Sequence, residues 1–141
     1  MTNNSKLAKA AQVTPASLKF NALGLISGMF YTTRFDKIGI FLPKYLYGKN
    51  YKKSAFAPFT NPEHPGIIRS LPPCFLVTSH NDNLKSYTIN FTKALKKYNM
   101  PHKLINFPKN KPLTHAFSVF EPFLAESSET LKLMTNFLKK Y

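Results

Sequence analysis

The sequence predicts an α/β protein with about three parallel strands and flanking helices. Three observations carry that expectation. Short continuous apolar runs such as CFLVTS (74–79) have the look of strands covered on both faces. Amphipathic stretches of helical period alternate with these runs through the second half of the chain. Clusters of Pro, Asn and Gly punctuate the boundaries between them.

The opening SKLAKAAQ is helix-compatible but short, with Pro15 as its expected stop. FNALGLIS (20–27), closed by Gly28, reads as a buried strand. Residues 29–70 are less regular. They hold a helix from Asp36 to Leu46 interrupted by Pro43, the tyrosine and lysine stretch YLYGKNYKK, and the loop APFTNPEHPG. Pro72 and Pro73 lead into CFLVTS, a central parallel strand. A helix from about Asn83 to Tyr98 follows, with Leu84, Tyr87, Phe91, Leu95 and Tyr98 on one face. HKLINFP is the third strand, and a loop from Pro108 to His115 leads to a last helix over about Ser127 to Lys140. Its expected buried stripe is Leu131, Met134, Leu138 and Tyr141.

The 141 residues (16.1 kDa) suit one domain spanning 1–141, and 43% hydrophobic content is enough for a packed core. A single cysteine, Cys74, excludes an internal disulfide and a cysteine-based zinc site; its place in an apolar run makes it inert core. No apolar run reaches the roughly 18 residues of a spanning helix, and MTNNSKLAKAAQV lacks the apolar stretch of a signal peptide. A soluble, reducing, cytoplasmic setting is therefore expected. The net charge is +14, but the basic residues are Lys except for Arg34 and Arg69. Nucleic-acid readers favour the bidentate fork of Arg. A Lys and Asn excess is also what a base-composition bias in the coding DNA produces, which scatters lysines over solvated faces. Nucleic acid is not the expected partner, and the tyrosines and lysines of 45–53 read as a solvated segment rather than a stacking platform.

In parallel sheets the working residues sit in loops after the carboxyl ends of strands. Two such loops carry titratable groups: HNDN after CFLVTS, with Asp82, and KNKPLTH after HKLINF, with His115. The pattern alone leaves Asp82 two roles, helix N-cap or acid partner of a loop histidine. His64, His80 and His102 are assigned as ordinary histidines, and no spacing supports a metal site. Phe30, Tyr31 and Phe117 are equally suited to an acyl pocket and to the core.

LPPCFLVTSHNDNL, an amphipathic helix, KLINFPKNKPLTHAF and a final helix together resemble the C-terminal part of α/β-hydrolase esterases and lipases, of the hormone-sensitive-lipase or acetyl-esterase type. ALGLISGMFYT is similar to the strand after the nucleophile helix of that family, and FAPFTNPEHPGIIRSLPP to the segment before the acid strand. The likeness covers about residues 20–141, most specifically 71–118. It implies a partial α/β-hydrolase fold, with Asp82 as the triad acid and His115 as the base, Ala116 and Phe117 completing the histidine motif. The family's G-x-S-x-G nucleophile elbow and HGG oxyanion segment do not occur; Gly24–Gly28 reads GLISG, with the wrong spacing. The expectation is the C-terminal fragment of a serine carboxylic-ester hydrolase, inactive alone, without cofactor or metal. Its substrate, once the fragment is completed, is a small ester. The strand expected to pair with FNALGLIS is missing too, so self-association through an exposed strand edge is expected. The alternative is a non-catalytic basic module for nucleic acid or another acidic partner.

Overall fold

The computed structural model describes residues 3–15 and 17–141. In chain order the elements are α1 (Ser5–Ala10), β1 (Leu23–Ile26), α2 (Lys37–Tyr47), 3-10 turns at Tyr51–Lys53 and Ala57–Thr60, α3 (Pro65–Ile68), β2 (Cys74–Ser79), α4 (Lys85–Lys97), β3 (His102–Phe107), α5 (Phe117–Phe120) and α6 (Ala125–Leu138). They form two compact units. One draws on Met1–Phe20 and Phe30–Leu71, the other on Asn21–Met29 and Pro72–Tyr141.

In the first unit the helix ends are set by local polar chemistry. The Asn4 side chain accepts the Leu7 N–H at 2.9 Å and caps α1. That helix stops well before Pro15, because Gln12 turns left-handed (φ 54°) and its own N–H and that of Val13 close on Lys9 and Ala8 carbonyls. Asp36 caps α2 by accepting the Gly39 N–H at 3.0 Å. Contrary to the expected interruption, α2 runs through Pro43. The proline forfeits one N–H, the one that would reach Gly39 C=O, and the buried ring holds its place in the helix. Tyr47 packs on Tyr51 and Phe56 (ring centroids 5.5 and 5.6 Å) and bonds Thr32 through its hydroxyl, so two of the three tyrosines in 45–53 are tied to their own unit. Tyr31 likewise donates to Glu63 at 2.6 Å.

The second unit is a three-stranded parallel sheet in the order β1–β2–β3. In register, Leu23 lies opposite Cys74, and Cys74 opposite His102. β2 is central and every one of its residues is buried, which explains its unbroken apolar run. Phe75, Val77, Phe107, Leu113, Phe117 and Phe137 form one core, flanked by Ile26, Ile105, Leu133 and Met134. α6 packs there on β1 and β2, with the Phe137 ring 5.6 Å from Phe75. Gly24 on β1 leaves the space that the Met134 side chain takes. α4 packs on β2 and β3 yet contributes nothing to that core, so it lies on the opposite face, that of Cys74, Leu76 and Thr78.

α4 buries Tyr87, Phe91 and Leu95 as its spacing predicts, and ends in a left-handed Asn99 whose N–H and that of Met100 close on Lys96 and Leu95 carbonyls. α6 departs from expectation. Its buried residues are Ser127, Thr130 and Phe137, while Leu131, Leu138 and Tyr141 are exposed. The packing face is turned by about one residue from the leucine stripe, and Ser127 on that face is anchored by its Oγ, which donates to the Glu121 carbonyl at 2.7 Å. Among the described residues, no helix is long and apolar enough to cross a membrane.

Candidate active site

The carboxyl ends of β2 and β3 open into the two loops that carry Asp82 and His115. The last two residues of β2 are hydroxyls, and both serve these loops. Thr78 Oγ1 donates to Asp82 Oδ2 at 2.8 Å, and Ser79 Oγ donates to the Leu113 carbonyl at 2.7 Å. Asp82 Oδ1 accepts the Leu84 N–H at 2.8 Å in the turn that enters α4. The carboxylate therefore shapes this turn rather than capping the first helical residues, and α4 starts two residues later than its periodicity predicts.

His115 Nδ1 lies 2.8 Å from the same Oδ1. Both side chains singled out from the sequence are thus brought together. The Asp82 side chain is fully covered, whereas the His115 ring is 41% exposed. Burial pushes the Asp82 carboxyl up, but hydrogen bonds from His115, the Leu84 N–H, Ser27 and Thr78 outweigh it and hold the group below the ordinary carboxylate range. An ionised carboxylate only accepts, so Nδ1 carries the ring proton and the neutral ring keeps its lone pair on Nε2. Such an arrangement can serve as a base, with its tautomer fixed from behind and its ring partly exposed.

Ala116 follows His115 with a left-handed backbone (φ 51°), and its N–H donates to Ser27 Oγ at 3.0 Å. Ser27 ends the β1 ladder, is itself left-handed (φ 48°) and is buried. Ser27, Thr78 and Ser79 were not among the expected site residues. Their signal is visible all the same: GLIS and CFLVTS both turn from apolar to hydroxyl at the strand's carboxyl end. Phe117 belongs to the core, edge-on to Phe107 at 5.2 Å, rather than to an acyl pocket.

The remaining histidines lie elsewhere. His64 accepts the Gly66 N–H at the start of α3, His80 Nδ1 meets Lys85 Nζ at 3.2 Å, and His102 Nδ1 meets the Met100 carbonyl. Cys74 is buried, and desolvation pushes its thiol up to about 11, which suppresses the thiolate. Among the described residues, no group of three or more His, Cys, Asp or Glu is placed to hold a metal ion.

No protein-family model matches the chain, and no curated protein matches it in sequence. Solved structures do. Esterase B from Lactobacillus rhamnosis superposes with a TM-score of 0.84 at 18% identity, over 99% of this chain and 46% of that one. An esterase/lipase from an uncultured bacterium gives 0.67 at 16% identity, over 96% and 46%. The Pyrobaculum calidifontis esterase gives 0.57 at 16% identity, over 95% and 47%. The chain thus spans less than half the length of each of these enzymes, and what it shares with them is architecture: it carries part of an α/β-hydrolase fold.

Proposed function

We propose that the chain supplies the acid and base of a serine carboxylic-ester hydrolase, with Asp82 as acid and His115 as base. The observation that carries this reading is the pairing of a covered, ionised carboxylate with an accessible imidazole at the carboxyl ends of adjacent parallel strands. His115 Nε2 takes the proton from an attacking serine hydroxyl and returns it to the departing alkoxide. Asp82 holds the tautomer and stabilises the imidazolium without taking the proton. The nucleophile comes from outside these residues, since no G-x-S-x-G segment occurs and the Ser27 hydroxyl is engaged by Ala116. Short acyl esters are the proposed substrate class, because one form of the Lactobacillus esterase was trapped with a tributyrin phosphonate.

Alone, the chain is expected to turn over p-nitrophenyl butyrate no faster than its His115→Ala variant. His115-dependent turnover by the isolated chain would mean that it holds a nucleophile of its own. Fused behind the nucleophile-bearing portion of esterase B, it is expected to hydrolyse the same ester, with a loss of about a thousandfold in His115→Ala. A folded fusion that shows no hydrolysis would defeat the assignment.

The outer edge of β1 has no strand partner among the described residues, and we propose that two copies associate through it. A two-fold axis would pair β1 with its copy antiparallel. Sedimentation at micromolar concentration is expected to give a species of about twice 16.1 kDa. A monomer at every concentration would contradict this.

A further inference from the structure

We propose that Ser27 is a positioning residue for the Asp82–His115 pair, its hydroxyl fixing the loop that carries the histidine; this rests on reading that pair as acid and base. The backbone gives the first argument. Ser27 N–H bonds the Val77 carbonyl at 2.9 Å and so completes the β1–β2 ladder, yet the residue adopts a left-handed φ that L side chains resist. The strain falls on the serine although a glycine stands next to it, at Gly28. Such strain persists where its surroundings require that side chain.

The second argument is where the hydroxyl goes. It accepts the N–H of Ala116, the residue directly after His115, which is itself left-handed. Two strained residues therefore meet through one buried hydrogen bond. With that lone pair engaged, the hydroxyl proton is free to turn toward the Asp82 side, and the serine is one of the groups that hold the Asp82 carboxyl low. On the other side of the histidine, Ser79 Oγ holds the Leu113 carbonyl. His115 is thus pinned from β2 before it and from β1 after it, and this double tether sets the ring 2.8 Å from Asp82.

The test is ring-nitrogen NMR of the ¹⁵N-labelled full chain in mildly alkaline buffer, read with amide exchange at Ala116. In Ser27→Ala, the His115 signals are expected to move from the Nδ1–H tautomer towards an ordinary mixture. Ala116 should exchange about tenfold faster while the β2 amides stay protected. Ser27→Gly, which removes the hydroxyl but suits the left-handed backbone, should give the same ring signature, and it serves if the alanine variant does not fold. Ring signals and Ala116 exchange identical to wild type in Ser27→Ala, alongside altered ring signals in Asp82→Asn, would overturn the role of Ser27 and leave the pair standing. Ring signals unchanged in Asp82→Asn would overturn the pair itself. Loss of β2 protection in both Ser27 variants would make the residue structural only and also refute the proposal.

Discussion

Asp82→Ala is expected to destabilise the sheet-bearing unit by about 2–4 kcal/mol at neutral pH, read as a lower urea midpoint. The carboxylate is fully covered and accepts from His115, the Leu84 N–H and Thr78. Its removal strands those donors beside a cavity, and a buried donor without a partner costs more than the bond itself contributed. The effect should also depend on pH, and its sign follows from the lowered folded pKa. Above the unfolded carboxylate pKa of roughly 4, the stabilisation from Asp82 is fully present in the wild type. As pH falls below that, the unfolded chain takes up the proton first, so the advantage is lost as pH passes through the folded value. The gap between wild type and variant should therefore be widest at neutrality and narrow in acid. An equal gap at every pH would show that the hydrogen bonds do not favour the charged form.

Phe117→Ala should cost about 3–5 kcal/mol, the range for emptying a buried aromatic site. Phe117 is 1% exposed, packs edge-on against Phe107, and belongs to the core that joins the sheet to α6. It also heads α5, two residues after His115, so the cavity lies directly behind the site. Phe120→Ala, at a side chain 73% exposed on the same short helix, provides the contrast and should stay within about 0.5 kcal/mol. Urea titrations of both variants make the comparison. A loss below about 1 kcal/mol in Phe117→Ala would mean that the core closes around the missing ring.

The central strand and the helix after it could be read from residues alone, because β2 opens on the continuous apolar run Cys74–Val77 and α4 repeats at three and four residues. The two candidate residues were legible for a related reason: strand-end loops are few, and one of the chain's two aspartates and two of its four histidines, His80 and His115, fall in them. What stayed hidden was whatever depends on a partner distant in sequence. The packing face of α6 is built on Ser127 and Thr130, which a hydropathy pattern ranks below Leu131 and Leu138. The tether from Ser27 to Ala116 crosses 89 positions, so the terminal hydroxyl of GLIS is visible locally but its partner is not. Pro43 illustrates the opposite error, a strong local breaker that its helix absorbs.

The way the chain visits the sheet also sets an order of assembly. β2, α4 and β3 follow one another across a connection of about twenty residues, whereas β1 reaches β2 only after about fifty, a span that includes most of the other unit. Early contacts form where the chain closes short loops, so the β2–α4–β3 layer is the natural nucleus and β1 a late arrival of four residues. Asp82 and His115 both belong to the early layer and its sequel, but Ser27 travels with β1. The two halves of the pair can therefore meet before the latch that orients them is in place, and a transient departure of β1 would slacken the histidine loop without dissolving the sheet beneath it.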